Sequence, residues 1–204
     1  MLALRLLWLR RLSLLCVGMT IVLMALGAWV KATGSGLACP DWPQCYGEWL
    51  PPFPSEENGG TYQGEPVPYS QAQVLYEWGH RAVVSLLLLP LGALAFLALR
   101  SPDAHRLLRT LPVVAFVLYF AQAGLGAVTV VTGNPAWATT AHMVLATIFL
   151  TTLVATATVA QVKPEGEPLP PPVEAPKPRQ VAFVYRDEPT ASAPAPQESE
   201  AQNG

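Results

Sequence analysis

The amino-acid sequence predicts an all-α integral membrane protein: a four-transmembrane-helix bundle with a long disulfide-bearing outer loop and a disordered C-terminal tail. Hydrophobic residues make up 51% of the 204 residues and charged residues only 13%, against roughly 25% charged residues in soluble domains. Three long stretches contain no Asp, Glu, Lys or Arg; they lie between Arg11 and Lys31, Arg81 and Arg100, and Arg109 and Lys163. The net charge of −2 excludes a basic nucleic-acid-binding surface.

Each uncharged stretch is long enough to cross a membrane. A bilayer core of ~30 Å requires about 20 apolar helical residues, so the first two stretches fit one crossing each. The turn signal Gly133-Asn134-Pro135 divides the third stretch into two crossings. We therefore predict helices at about residues 12–30, 83–99, 111–131 and 139–162 within a domain of residues 1–162. Helices are expected rather than strands because backbone polar groups in lipid must be paired within the chain.

The positions of Lys and Arg predict the orientation in a bacterial or archaeal plasma membrane. Three arginines precede the first helix (Arg5, Arg10 and Arg11), and three more join the second helix to the third. The outer loop, about residues 31–77, contains no Lys or Arg between its two edges. Both termini are therefore predicted to be cytoplasmic. The competing interpretation is a signal peptide cleaved near residues 25–27, but the apolar run continues beyond that site.

The composition changes after the last predicted helix. Ten of the 42 residues from 163 to 204 are proline, mixed with Glu, Ala, Ser and Gln. Such a segment has too few apolar residues to form a packed core. Residues 163–204 are therefore predicted to be a Pro-rich disordered cytoplasmic tail.

Two of the three histidines lie at predicted membrane helices, where polar side chains are costly and often functional. His80 is placed at the outer end of the second helix, and His142 lies about two turns past Pro135 in the fourth. Both helices enter from outside, so the two imidazoles should lie at similar depth and could ligate haem iron. Zinc would need further ligands, and no C-x-x-C-H sequence attaches a c-type haem. The alternative is that each histidine only makes hydrogen bonds between helices.

Charged residues accompany the first of these histidines. Glu77 lies three residues before His80, so both should project from one helical face. A partly desolvated carboxylate there suits acid–base or proton-delivery chemistry beside a metal centre. The alternative is that Glu77 only pairs with Arg81 and anchors the helix end. Arg81 is itself a candidate partner of a haem propionate.

The outer loop contains two cysteines, Cys39 and Cys45. On the oxidising side of a membrane, two such cysteines ordinarily form a disulfide. A structural disulfide and a redox-active dithiol both remain open. The aromatic residues Trp42, Tyr46 and Trp49 could line a ligand pocket or form an aromatic belt at the interface.

Three stretches of this sequence resemble haem A synthases. Val30-Lys31-Ala32-Thr33-Gly34-Ser35-Gly36-Leu37-Ala38-Cys39-Pro40-Asp41-Trp42-Pro43-Gln44-Cys45 resembles the end of helix one and the cysteine loop of that family. Glu77-Trp78-Gly79-His80-Arg81 resembles its Glu-x-x-His-Arg motif at the start of helix two. Gly124-Leu125-Gly126-Ala127, followed by His142, is similar to its helices three and four. The resemblance covers about residues 12–160.

The resemblance implies a membrane oxidoreductase that converts the ring methyl group of haem O to a formyl group by successive hydroxylations. The product, haem A, would supply cytochrome c oxidase. By position, the resemblance makes His80 and His142 axial ligands of haem iron and Glu77 the essential carboxylate beside the reacting haem. Cys39 and Cys45 would be the loop cysteine pair, haem O the substrate and haem b the cofactor.

The sequence departs from that family in the number of helices. Typical members have eight transmembrane helices in two halves, each with a histidine pair, one for haem O and one for haem b. Four helices and one pair are predicted here, so we expect a homo-oligomer, or a partner carrying the missing half. Haem O synthase and cytochrome oxidase assembly factors are further candidate partners, whereas nucleic acid is not.

Two other functions are consistent with a histidine pair in a membrane bundle. One is a non-catalytic haem-binding assembly or delivery protein, and the other is a b-type electron-transfer subunit of a respiratory complex. Glu77 and the full cysteine loop favour the enzyme, because electron transfer alone requires only ligands and an apolar surrounding.

Overall fold

A computed structural model describes residues 2–51, 61–62, 65–66 and 68–162. Its helices are α1 (Leu2–Ala32), α2 (Gln71–Leu99), α3 (Arg106–Val131) and α4 (Ala136–Val159). A short antiparallel pair, β1 (Thr61–Tyr62) and β2 (Glu65–Pro66), lies in the connection between α1 and α2. All four helices are long and apolar enough to span a membrane, which confirms the predicted class. The predicted disordered tail, residues 163–204, lies outside the described residues.

The four helices form a closed ring of neighbours. α1 packs against α2 and α4, and α3 packs against the same two helices. The short connections from α2 to α3 and from α3 to α4 make consecutive helices antiparallel. α2 and α4 therefore run in the same direction at opposite corners of the bundle. This is the arrangement that a ligand held between those two helices requires.

Helix α2 begins about twelve residues before the predicted start at residue 83. Ser70 caps it: its Oγ accepts a hydrogen bond from the Gln73 backbone N–H at 3.4 Å, and Gln73 Oε1 accepts from the Ser70 N–H at 3.1 Å. The sequence boundary was placed where charged residues interrupt the apolar run. The helix continues through Glu77 and Arg81, whose side chains pair with each other. Three predicted site residues, Glu77, His80 and Arg81, therefore lie within the helix.

Helix α1 also begins earlier than predicted, at Leu2 instead of residue 12. The arginines of its first turns bond to the ends of other helices. Arg5 donates to the carbonyl of Arg100, just after α2, and Arg10 Nη2 donates to Gln161 Oε1 at 3.2 Å, just after α4. The N-terminal end of α1 is thus tied to the C-terminal ends of α2 and α4, where cations are favoured.

The half of the bundle that contains these contacts is densely packed. Its largest fully buried side chains include Leu91, Leu94 and Leu153. Residues from all four helices contribute to this core: Leu9, Cys16, Leu23, Leu87, Leu91, Leu94, Ala98, Ala115, Tyr119, Phe149 and Leu153. The other half of the bundle, toward the loop between α1 and α2, instead surrounds a cavity.

Candidate functional site

The cavity is lined by residues of all four helices and has a volume of about 530 Å³. This lies within the range of roughly 300–1,000 Å³ that is typical of small-molecule and cofactor sites. Glu77, His80, Arg81 and His142 all line it. The structure thus brings together in one cavity the four residues that sequence reasoning singled out.

The third histidine lies away from this cavity. His105 is the N-cap residue of α3, and its Nδ1 accepts a hydrogen bond from the Leu107 N–H at 3.3 Å. It satisfies one of the free N–H groups at the start of the helix. His105 therefore has a local structural role.

Each cavity histidine packs against a glycine of a neighbouring helix. A Cβ atom added to Gly27 of α1 would lie 3.3 Å from His80 Cε1, and one added to Gly126 of α3 would lie 3.1 Å from His142 Cε1. Both distances are shorter than the roughly 3.5–4.0 Å of a favourable carbon–carbon contact. A Cβ at either position would therefore require the imidazole to move by a few tenths of an ångström. Gly126 belongs to the motif recognised in the sequence, but its contact with His142 was not predicted.

Three buried polar atoms at the cavity have no hydrogen-bond partner among the described residues: His80 Nδ1, His142 Nδ1 and Gln122 Oε1. Buried polar atoms usually have a partner, so unpaired ones suggest a missing ligand or water. The described part of the chain has no group of three or more His, Cys, Asp or Glu side chains that could hold a metal ion. A macrocycle that supplies four equatorial nitrogens needs only two axial ligands. The two histidines and the cavity therefore fit a haem.

Arg81 makes the most hydrogen bonds of any side chain at the site. Its Nε donates to Glu77 Oε1 at 2.8 Å, with both side chains about nine-tenths buried. Its Nη1 donates to the carbonyls of Asp41 and Gln44 at 2.5 and 2.6 Å, and its Nη2 donates to that of Cys39 at 3.0 Å. A guanidinium has five N–H groups, so four serve these contacts and one is left for a propionate.

The loop that Arg81 holds is closed by a disulfide between Cys39 and Cys45. Asp41 organises the interior of the loop, since its Oδ1 accepts from the Tyr46 N–H and its Oδ2 from the Gly47 N–H, both at 2.7 Å. Tyr46 and Gly47 have positive φ angles of 58° and 77°, which turn their N–H groups toward the carboxylate. This role of Asp41 was not predicted from the sequence.

The same loop forms part of the cavity wall. Trp42 and Pro43, between the two cysteines, contribute to its lining. The loop is therefore part of the site. Because Arg81 contacts both the loop and Glu77, the shape of the loop and the position of the carboxylate are mechanically linked.

The C-terminal ends of α1 and α3 contain a short sequence repeat that was not predicted. Gly27 is followed six residues later by Thr33-Gly34-Ser35, and Gly126 is followed six residues later by Thr132-Gly133-Asn134. Both segments end their helix in the same way. Ser35 N donates to the carbonyl of Val30 at 2.9 Å, and Asn134 N donates to that of Thr129 at 2.6 Å. Each central glycine has a positive φ, as this helix ending requires.

Because of this repeat, each helix pair contributes one glycine–histidine contact to the site. In the pair α1–α2, Gly27 faces His80, and in the pair α3–α4, Gly126 faces His142. The two helix endings also meet, because a Cβ on Gly36 would lie 2.9 Å from Asn134 Nδ2. The cavity thus has an equivalent glycine–histidine contact on each side, and the segments that follow α1 and α3 pack closely against each other.

Residues 10–185 match the COX15-CtaA family, described as cytochrome oxidase assembly protein. This chain belongs to that family. The match confirms the resemblance to haem A synthases. Relatives named heme A synthase support the same conclusion. The chain is 32% identical over 160 residues to the heme A synthase of Halalkalibacterium halodurans, covering 78% of this chain and 47% of that protein. It is 32% identical over 124 residues to the heme A synthase of Shewanella oneidensis, covering 60% and 36%.

Another relative of this COX15-CtaA protein has a different name. The protoheme IX farnesyltransferase of Halobacterium salinarum is 32% identical over 136 residues, covering 66% of this chain and 27% of that protein. The chain therefore spans less than half the length of each of these three curated relatives. No solved structure matches it significantly.

Proposed function

We propose that this protein oxidises the ring methyl group of haem O to a formyl group by successive hydroxylations, supplying haem A for cytochrome c oxidase. The observation that carries this proposal is the single cavity that two histidines of diagonal helices share with Glu77. Membership of the COX15-CtaA family supports it, because relatives in that family are named heme A synthase.

In this proposal, His80 and His142 would hold the haem iron. Haem supplies the oxidative chemistry when bound, and the protein supplies ligands, orientation and a cavity shielded from water. The described residues form one cavity with a histidine pair, so holding substrate haem O together with cofactor haem b takes a second such cavity. We propose that a second copy of this chain provides it, in a homo-oligomer.

Glu77 is the proposed catalytic residue. Arg81 fixes one of its oxygens at the cavity edge, one helical turn before His80. A carboxylate held in this way can take up a proton released as the methyl group is oxidised. The remaining N–H of Arg81 and the ammonium group of Lys31, which also lines the cavity, are the proposed partners of the haem propionates.

We propose that the protein lies in the plasma membrane with both termini in the cytoplasm. Arg5 and Arg10 support this orientation, since they lie with Arg100 at the end of the bundle opposite the cysteine loop. A reporter enzyme that is active only in the cytoplasm should be active when fused to either terminus. It should be inactive when inserted in the loop between α1 and α2.

An enzyme that farnesylates protohaem is the proposed supplier of haem O. The relative from Halobacterium salinarum supports this partner, because a protein named protoheme IX farnesyltransferase contains a segment similar to this chain. A cytochrome oxidase assembly factor is the proposed recipient of haem A.

The test is expression in cells that make haem O but lack a haem A synthase, followed by extraction and mass analysis of the haems. Haem A should appear with the unaltered protein and be lost in Glu77→Gln. The matched control is Glu48→Gln, which changes an exposed carboxylate of the outer loop and should preserve haem A. A b-type spectrum without haem A, with oxygen and reductant supplied, would instead identify a haem carrier or an electron-transfer subunit.

A further inference from the structure

Gln122 of α3 touches His142 in two places. Its Nε2 lies 3.1 Å from the backbone carbonyl oxygen of His142 and 3.3 Å from the ring atom Nε2 of the same residue. A carbonyl oxygen only accepts hydrogen bonds, so the amide group near it must be the NH₂ group. The amide of Gln122 is thereby oriented by a backbone atom that cannot change its role.

The second N–H of this amide faces the histidine ring. An N–H requires an acceptor, so His142 Nε2 presents its lone pair and the ring proton is on Nδ1. In this tautomer, Nε2 is the atom with a lone pair available for a metal. The same lone pair is already in contact with Gln122.

His80 is in a different situation. Within the described residues, no side chain or backbone group donates to its ring, and its Nδ1 is buried without a partner. Gly27 contacts this ring on one side. The two histidines of the cavity are therefore equivalent in their glycine contacts but unequal in their hydrogen bonds.

We infer that Gln122 is a positioning residue that competes with haem iron for the Nε2 lone pair of His142, so that His142 is the more easily released of the two ligands. This inference rests on the proposed ligand role of His142. One lone pair cannot serve two partners, so coordination displaces the amide N–H from the ring. If His142 were released, the amide N–H of Gln122 would again donate to His142 Nε2, and the second contact of Gln122, to the backbone of His142, would keep the amide in place.

The size of the effect follows from the energy of a neutral hydrogen bond. A bond of this kind corresponds to roughly a 2- to 12-fold change in an equilibrium constant. Release of His142 is favoured by this factor, whereas release of His80 has no such compensation. An incoming ligand would thus displace His142 more readily than His80.

Binding of carbon monoxide to the ferrous haem b complex of the full chain tests this inference, because carbon monoxide must displace an axial ligand. Gln122→Met removes the amide at similar side-chain length and should lower the affinity for carbon monoxide about 2- to 12-fold. The matched control is Gln161→Met, at the other end of the bundle, which should bind as the unaltered protein does. If Gln122→Met fails to accumulate, Gln122→Asn shortens the side chain by one methylene and should lower the affinity in the same direction.

A second measurement separates ligand competition from altered access to the cavity. In a His142→Ala background, reconstituted with excess haem b and compared at equal haem content, Gln122→Met should have no further effect on carbon monoxide affinity. An unchanged or higher affinity in Gln122→Met, or an effect that persists in the His142→Ala background, would overturn the inference. If His142→Ala retains the low-spin spectrum of a haem with two histidine ligands, the assignment of His142 as a ligand fails, and with it the site on which the proposed function rests.

Discussion

The contact between Gly126 and His142 makes a quantitative prediction. In Gly126→Ala, the new methyl carbon would lie 3.1 Å from His142 Cε1, 3.7 Å from Nδ1 and 3.8 Å from Nε2. A favourable carbon–carbon separation is about 3.5–4.0 Å, so the ring must move by roughly 0.4 Å or more. This movement would shift the imidazole from the position in which it lines the cavity.

This movement should lower the affinity of the protein for haem. A side chain turned by as much as ~30° from its preferred rotamer loses about 0.5–1.5 kcal/mol, so the loss of affinity should be at most roughly 12-fold. The free energy of unfolding of the haem-free protein should rise by about 0.5–1 kcal/mol, because alanine is a better helix former than glycine. Gly126→Ala should therefore bind haem more weakly while being more stable without it.

Gly124→Ala is the matched control, since it lies on the same helix and an added Cβ would meet nothing within 4 Å. It should gain the same stability and bind haem normally. Gly27→Ala should show a smaller loss than Gly126→Ala, because its Cβ would lie 3.3 Å from His80 Cε1. Haem titration followed by absorbance and thermal unfolding of the haem-free protein in detergent provide the two measurements. Equal haem affinity in Gly126→Ala and Gly124→Ala would refute the reasoning.

Three further predictions concern the histidines, the disulfide and the loop contact. His142→Ala should lose most of its bound haem and His105→Ala should keep it, as measured by haem content per purified chain; equal haem content in both would contradict the ligand assignment. Replacing Cys39 and Cys45 together by alanine should lower the free energy of unfolding by about 2–2.5 kcal/mol, because the disulfide closes a short loop; an unchanged melting temperature would argue against a structural role. Arg81→Lys should increase protease cleavage within residues 33–51 several-fold, because an ammonium group cannot reproduce the guanidinium contacts to three carbonyls; unaltered cleavage would show that the loop is held by other contacts.

The membrane helices illustrate how far sequence reasoning reaches. Their number follows from uncharged stretches of the length a bilayer requires, and the structure confirms four. Their ends were less predictable, because charge marks where an apolar run stops and not where hydrogen bonding stops. Helix α2 begins at Gln71, after the cap formed by Ser70 and Gln73, and so contains Glu77 as an internal residue.

Some features of the candidate site were likewise predictable from the sequence, and others were not. His80 and His142 were identifiable because histidine in an apolar helix is costly and needs a reason. The sequence left two roles open for Arg81, pairing with Glu77 or with a propionate. The structure adds a third, since Arg81 donates to carbonyls of residues 37–42 positions away in the chain.

Local properties of the sequence alone determined the membrane class, the number of helices, the histidine pair and the cysteine loop. These features depend on composition, spacing and short motifs, which need no knowledge of distant contacts. Only the tertiary structure decided that Gly27 and Gly126 make room for the imidazoles and that Gln122 contacts His142. Those contacts join side chains on different helices, and their geometry depends on how the helices pack, which no local pattern encodes.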